Sequence, residues 1–195
     1  MPPKCKFTRE EIVRAALDLA REEGIDAITA RALGAKLGAS PKPIFSVFEN
    51  MEEVQREVIA AARQLYNGYI DFALNQKDMP AFKGVGMQYI RFALAEPKLF
   101  HLLFMSQQPQ KPDISNVLPV IDENYGQILG SVRECYGLNE RDSERLYRHL
   151  WVYSHGIAVL CATNLCSFSL AEIGKLLTEV CVSVLRTIRD GEKRD

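Results

Sequence analysis

Residues 28–54, ITARALGAKLGASPKPIFSVFENMEEV, contain the pattern on which the fold prediction depends. A short helix is predicted from Thr29 to Gly38, because apolar residues recur at helical spacing and glycine commonly ends a helix. Ser40 is predicted to cap a second short helix. Two short helices joined by a tight glycine-containing turn are typical of a helix-turn-helix, whose second helix enters the major groove of DNA.

The helix after this turn is predicted to begin at Pro41 and to present one face to DNA. Pro41 and Pro43 both fall in its first turn, where a missing N–H removes no intrahelical hydrogen bond. Lys42 is the natural donor to a base edge or a phosphate, and Pro43 offers an apolar contact to a thymine methyl group. Helical spacing turns Ile44, Val47 and Phe48 inward and Lys42, Pro43 and Ser46 outward, with Phe45 at the edge.

Further DNA contacts are predicted near this pair of helices. Thr29 and Arg31 begin the first helix of the pair, where a hydroxyl, a guanidinium and helix-end N–H groups suit phosphate. Lys4, Lys6 and Arg9 form a loose basic arm. The predicted DNA-binding residues are Lys4, Lys6, Thr29, Ala30, Arg31, Ser40, Pro41, Lys42, Pro43, Phe45 and Ser46.

The rest of the chain also has the periodicity of helices, which predicts an all-α fold. Thr8 and Glu11 form a capping box for a helix that ends at Gly24, and Ser169 and Glu172 form another. A helix of about six turns is predicted from Met51. Other helices are predicted at 80–95, 98–106, 113–136, 140–166 and 170–190, with an exposed linker at 107–112.

Composition places the chain among ordinary globular proteins. It has 195 residues, of which 47% are hydrophobic, and its formal net charge of −1 gives no indication of nucleic acid. No stretch has the length and apolarity of a membrane span, and no secretory signal is recognised, so we expect a cytoplasmic protein, associated with the nucleoid when bound to DNA. The five cysteines are expected to be reduced thiols because their number is odd and no CxxC spacing occurs.

The segment 28–54 closely resembles the DNA-binding signature of the tetracycline-repressor (TetR) family, and residues 7–27, FTREEIVRAALDLAREEGIDA, resemble its first helix. The resemblance covers roughly the first 65 residues. It implies a three-helix head that binds DNA through a helix-turn-helix between Thr29 and Phe48. It also implies a homodimer that binds a near-palindromic operator.

Two residues depart from the family pattern. Phe45 stands where the family usually has a tyrosine that reaches a phosphate, and Met51 stands where a lysine usually does the same. Phosphate contacts set affinity and salt dependence more than sequence choice, so we expect weaker but still specific DNA binding.

Behind the head, two segments resemble the C-terminal domain of the TetR subgroup that carries a Trp/His-Gly motif. They are LWVYSHGIAVL (150–160) and EPKLFHLLF (96–104). The resemblance implies a helical bundle whose cavity binds a small hydrophobic or aromatic effector. Aromatic and methionine side chains with a few polar groups are typical of such a wall, although these residues commonly form plain core as well. The predicted ligand-binding residues are Met87, Phe92, Phe100, Phe104, Met105, Tyr125, Trp151 and His155.

The last two predicted helices carry broad apolar faces. Such faces cover a core, and they can also meet a twofold mate in a four-helix bundle. The resemblance assigns homodimerisation to them, whereas a monomer is expected if both faces are satisfied within the chain. The predicted organisation is a DNA-binding domain at 1–50, a connecting helix at 51–75, and a ligand-binding and dimerisation domain at 76–195.

The prediction is therefore a transcriptional regulator, a repressor released from its operator by an effector. Activation in place of repression stays open, because the sequence does not show where the operator lies relative to a promoter. The alternative is a helical small-molecule or redox sensor with weak or no specific DNA binding. No metal site is predicted, because His149 and His155 lie nearly opposite on a helix. Cys161 and Cys166 leave thiol sensing as a minor possibility. Neither a cofactor nor catalysis is expected, because the sequence contains no nucleophile, phosphate-loop or paired-carboxylate signature.

Overall fold

The computed structural model describes residues 7–76, 80–106, 112–114 and 116–192. All regular secondary structure in these ranges is helical, which confirms the all-α prediction. No helix among the described residues combines the length and apolarity needed to cross a membrane. The α-helices are α1 (Arg9–Glu23), α2 (Ala30–Lys36), α3 (Met51–Asn75), α4 (Ala81–Ala95), α5 (Pro97–Phe100), α6 (Val117–Ile121), α7 (Tyr125–Tyr136), α8 (Glu140–Ala162) and α9 (Leu170–Glu192).

The chain divides into two compact units. Unit 1 comprises Met1–Leu65 and Glu96–Ser106, and unit 2 comprises Tyr66–Ala95 and Gln107–Asp195. The boundary falls inside α3, and α5 with the π-helix His101–Met105 that follows it belongs to unit 1. The functional division into 1–50, 51–75 and 76–195 stays a prediction.

Unit 1 is built on α1, whose ends agree with the sequence signals. Thr8 accepts a hydrogen bond from the Glu11 N–H, and Glu11 accepts one from the Thr8 N–H at 2.8 Å, so the predicted capping box is confirmed. Gly24 ends the helix with a φ of 100°. The core of this unit consists of fully buried apolar side chains from α1, α2, α3 and the segments around them, among them Ile12, Ala16, Leu33, Ile44, Phe48, Val54 and Val58.

Unit 2 is a bundle in which α4 packs against α7, α8 and α9. The cap of α9 is as predicted, because Ser169 donates its N–H to Glu172 at 2.7 Å and its hydroxyl accepts the Glu172 N–H at 3.2 Å. The prediction that α8 runs to residue 166 is wrong, since α8 ends at Ala162 and Asn164 has a φ of 55°.

The single helix predicted over 113–136 is also wrong, because the chain is interrupted at Asp122. Asp122 has extended backbone, and its carboxylate accepts the Asn124 N–H at 3.0 Å. An aspartate side chain that bonds the backbone two residues ahead replaces helical hydrogen bonding with a turn. The chain therefore forms α6 and α7 in place of one helix.

Candidate functional site

In unit 1, α2 is followed by a turn that approaches it closely. The Thr29 hydroxyl accepts the Ala32 N–H at 3.1 Å and caps α2. Gly38 has a φ of 64°, and the Ala39 N–H donates to the Gly34 carbonyl at 2.9 Å. A β-carbon at Gly34 would lie 3.0 Å from the Ala39 oxygen, closer than side chains normally approach backbone. Gly34 therefore allows the turn to fold back on α2, a role that the sequence prediction missed.

The segment after the turn differs from the predicted α-helix. It contains a 3₁₀-helix, Ile44–Ser46, in which the Ile44 N–H donates to Pro41 and the Val47 N–H donates to Ile44, both at 3.0 Å. A residue before proline is disfavoured in the α conformation, and Lys42 precedes Pro43. No side chain caps this 3₁₀-helix, so the predicted capping role of Ser40 is wrong.

The two faces of this segment agree with most of the predicted division. Ile44 and Phe48 are buried, while Lys42 and Ser46 are exposed. Phe45, predicted at the edge, is 48% exposed. Pro43 and Val47 are half-buried. Contact of any of these residues with DNA stays a prediction.

The prediction that Arg9 belongs to a loose basic arm is wrong. The Arg9 guanidinium donates to Glu53 at 2.7 Å and to Glu57 at 2.6 Å, and it lies 4.3 Å from the centre of the Phe48 ring. Arg9 therefore ties α1 to α3 within unit 1 and is not available as a mobile phosphate contact. Lys4 and Lys6 lie outside the described residues.

The other predicted DNA-binding residues near α2 are at the surface or close to it. Arg31, Ser40 and Pro41 are exposed, and Ala30 is half-buried. DNA contact at these four positions stays a prediction. Met51, where a phosphate contact of the family is expected to be lost, begins α3 and is half-buried.

Unit 2 encloses a cavity of about 320 Å³. Its wall is mainly apolar and aromatic, and one side of it is Gly86, where a β-carbon would lie 3.2 Å from Leu177 and 3.3 Å from the Ser154 hydroxyl. The aromatic side chains that line the cavity are Tyr66, Phe82, Tyr89, Tyr136, Tyr147 and Trp151.

Asp122 brings a carboxylate into this wall. The Tyr147 hydroxyl donates to its carboxylate at 2.9 Å, and the Tyr66 hydroxyl approaches the same oxygen at 3.5 Å. Burial raises the pKa of Tyr66 and of Tyr147 well above the ordinary value, and the Asp122 charge raises both further. The two phenols therefore remain protonated donors to the carboxylate.

One predicted ligand-binding residue, Trp151, lines the cavity, and the other seven do not. Phe100, Phe104 and Met105 belong to unit 1, where the first two rings lie 5.4 Å apart. Ligand contact at all eight positions stays a prediction. The remaining four lie in unit 2: Met87 beside an open recess, Phe92 buried against the Tyr66 and Tyr69 rings, Tyr125 stacked on Tyr147, and His155 stacked on Trp151.

His155 connects to the cavity wall through a tyrosine. Its Nδ1 lies 2.8 Å from the Tyr89 hydroxyl, and its ring centre lies 5.3 Å from that of Trp151. Burial lowers the pKa of His155, so the neutral imidazole is favoured. In the neutral imidazole, an unprotonated Nδ1 can accept a hydrogen bond from the Tyr89 hydroxyl.

Sequence reasoning missed Tyr66, Tyr147 and Asp122. The usable signals were tyrosines in apolar helix faces and a lone acid after the apolar run VLPVI at 117–121. Neither signal indicates that three side chains from different elements meet. That arrangement depends on tertiary packing, which the periodicity of a single helix does not contain.

The surroundings of Cys161 do not favour thiol chemistry at that residue. Cys161 is buried and Cys166 is exposed, and burial raises the pKa of the Cys161 thiol. The reactive form of cysteine is the thiolate, which a raised pKa disfavours. In the part of the chain that the structure describes, no cluster of histidine, cysteine and acidic side chains could hold a metal ion.

The last two helices bury much of their apolar surface within unit 2. Ile173, Leu177 and Ile188 of α9 and Leu146 and Ile157 of α8 are all buried. Large apolar side chains that remain exposed include Val152 on α8, at 49%, and Val182 on α9, at 41%.

Comparison with known proteins shows that this chain is similar to transcriptional regulators. Residues 82–186 match the family described as tetracyclin repressor-like, C-terminal domain. The chain is 22% identical over 163 residues to YobS of Bacillus subtilis (strain 168), an uncharacterized HTH-type transcriptional regulator, and the match covers 83% of each protein.

The fold is similar to the crystal structure, at 1.54 Å resolution, of a protein from Mesorhizobium loti MAFF303099 that is assigned to the TetR family of transcriptional regulators. The TM-score is 0.56 at 18% identity, over 93% of this chain and 98% of the other.

Proposed function

Since this chain belongs to the tetracyclin repressor-like (TetR) family of transcriptional regulators, we propose that it represses transcription by binding an operator through unit 1. A small molecule bound in unit 2 releases it from that operator. The finer resemblance to the Trp/His-Gly subgroup stays a prediction.

The observation that carries this proposal is the surface presented after α2. The turn at Gly38 is held against Gly34, while Ile44 and Phe48 anchor the following segment in the core. Side chains on its other face, Lys42 and Ser46, are exposed. A charged donor and a hydroxyl on a short helical segment suit the base edges and phosphates of the major groove.

Lys42 is the side chain on which we expect specificity to depend most. It is exposed, and within the described part of the chain it forms no ion pair. Two other basic side chains of unit 1 are engaged internally, Arg9 with Glu53 at 2.7 Å and Lys36 with Glu22 at 2.8 Å. An unpaired lysine can bind DNA without first breaking an internal ion pair.

Homodimerisation through α8 and α9 is the second part of the proposal. The exposed Val152 supports it, because an exposed apolar side chain on a long helix favours a helix-bundle contact. A twofold dimer presents two recognition segments, which suits a near-palindromic operator with half-sites about 34–36 Å apart.

The experiment that tests DNA binding is a fluorescence-anisotropy titration with the DNA that flanks the coding region. It is run at two salt concentrations and with scrambled competitor. We expect saturable binding that resists the competitor and weakens as salt rises, because phosphate neutralisation releases counterions. Equal affinity for scrambled DNA would favour the alternative, a helical sensor without specific DNA binding.

A further inference from the structure

The cavity of unit 2 contains one acidic group among the described residues that line it, Asp122. Asp122 is 6% exposed, and it lies at the break between α6 and α7. A charged group in an apolar wall is costly unless it is stabilised by hydrogen bonds or by an opposite charge. The groups that contact Asp122 therefore decide whether a negative charge is stable in this wall.

The groups around Asp122 stabilise its negative form. The Tyr147 hydroxyl and the Asn124 N–H donate to separate carboxylate oxygens, at 2.9 Å and 3.0 Å. The Tyr66 hydroxyl approaches one of these oxygens at 3.5 Å. Hydrogen bonds donated to a carboxylate favour its charged form.

Six aromatic rings form part of the remaining wall, which also contains aliphatic side chains. Phe82 meets Tyr147 edge to face, with ring centres 5.7 Å apart at 89°, and it meets Tyr136 in the same way at 6.3 Å and 83°. Tyr66 and Tyr89 form a third perpendicular pair at 6.1 Å. The negative faces of such rings attract a cation, most strongly where water is excluded.

Among the described residues that line the cavity, Lys83 is the basic one, and it lies toward the surface. Lys83 and Thr178 also border an open recess that contains Lys175 and Glu179. Lys83 is half-exposed, whereas Asp122 is buried. Solvent screens the lysine charge more than the aspartate charge, so of these two described groups the aspartate acts more strongly on a ligand inside the cavity.

We propose that the cavity binds a small organic cation, with its ammonium group beside Asp122 and its apolar frame against the aromatic rings. Protonated amines and quaternary ammonium compounds share this chemistry. The inference rests on the proposed function for its regulatory meaning, since the cation would be the effector that releases the operator.

The test uses the only tryptophan of the chain, Trp151, which lines the cavity and so reports binding by its fluorescence. The protein is titrated, without DNA, with benzyltrimethylammonium and with neopentylbenzene, in which carbon replaces the charged nitrogen at almost the same shape. We expect the cation to bind more tightly by about tenfold or more. Equal or tighter binding of the neutral compound, or no response to either, would overturn the proposal.

The variant Asp122→Asn tests whether the carboxylate causes the preference. We expect the cation and the neutral compound to bind this variant with affinities within about threefold of each other. The matched control is Glu144→Gln, which removes a carboxylate that binds the Tyr125 hydroxyl outside the cavity and should keep the full preference. Circular dichroism checks that both variants fold. If Asp122→Asn does not fold, the comparison of the two compounds on the unaltered protein still tests the proposal.

A separate anisotropy titration with operator DNA distinguishes the two proposals. Cation selectivity without DNA binding would contradict the proposed function alone. DNA binding with no cation selectivity would contradict the ligand class alone.

Discussion

In the helix-turn-helix, Gly34 lies in the interior and Lys42 lies at the surface. Gly34 is buried, and the backbone of the following turn occupies the space that a side chain would need. Lys42, a few residues later, is exposed. Gly34 is therefore expected to matter for folding, and Lys42 for contact with DNA. Separate substitutions can test each expectation.

Gly34→Ala should destabilise the protein by about 1–3 kcal/mol, because the new methyl group meets backbone atoms that cannot easily move aside. Its β-carbon would lie 3.0 Å from the Ala39 oxygen and 3.2 Å from the Pro41 nitrogen. Urea denaturation measures the change. Gly130→Ala is the control: nothing lies within 4 Å of its β-carbon position in α7, so alanine should leave stability unchanged or raise it by about 1 kcal/mol. An equal effect of both substitutions would contradict the close approach.

Lys42→Ala should weaken specific operator binding by about 1–3 kcal/mol if the ammonium group contacts a base edge. Anisotropy titrations with specific and scrambled DNA measure the loss. Lys175→Ala removes the same charge from an exposed site in unit 2 and should have little effect. Unchanged affinity in Lys42→Ala would remove this residue from the interface.

His155 should make stability depend on pH. Burial lowers its pKa in the folded protein below the ordinary value of 6.5, so the unfolded chain takes up a proton more readily. Its contribution is fully present above pH 6.5 and is lost as pH falls from 6.5 toward the folded pKa. Urea midpoints at two pH values on either side of this window should show a smaller acid loss in His155→Gln than in the unaltered protein. The exposed His149→Gln should retain the full acid loss.

At the scale of helices, the sequence predicted elements well where local signals decide the structure. The capping boxes at Thr8 and Ser169 mark the starts of α1 and α9, because a side chain three residues away completes each cap. Predictions failed where another contact overrides the periodicity. Asp122 bonds Asn124 and Tyr147 in place of continuing a helix, and Pro43 restricts the residue before it.

The cavity was the least predictable part of the molecule for the same reason. Trp151 was found from its residue type, but Tyr66 and Asp122 are 56 residues apart in sequence and meet through packing. A helical pattern shows which residues face inward. It does not show whether those residues fill the core or surround a space.

Ser169→Ala should lower the free energy of unfolding by about 1 kcal/mol, because the first turn of α9 loses the hydroxyl that accepts the Glu172 N–H. Urea denaturation measures it. Ser167→Ala, two residues earlier at an exposed position before the helix, should change stability very little. Equal losses would show that the cap does not stabilise α9.

At the scale of the whole molecule, overall charge gives no indication of function. A net charge of −1 is unremarkable, so the proposed DNA binding depends on a local surface. The proposed dimer follows similar logic, because the apolar faces of α8 and α9 are mostly used inside unit 2 and a smaller exposed part remains. Both proposals concern surfaces that the composition of the chain does not distinguish.

Val152→Arg should convert the proposed dimer to a monomer, because it places a charge in an apolar contact between α8 and α9 of two copies. Size-exclusion chromatography with light scattering measures the mass. Val120→Arg is the control, since Val120 is 63% exposed on α6, away from the proposed interface, and this variant should remain dimeric. A dimeric Val152→Arg would contradict the interface.

Hydroxyl-radical footprinting on the DNA that flanks the coding region is the most direct test of operator binding by this chain. We expect two protected patches on one face of the duplex, with half-site centres about 10 base pairs apart, and loss of both patches in Lys42→Ala at the same protein concentration. Uniform protection, or no protection at low salt, would contradict operator binding.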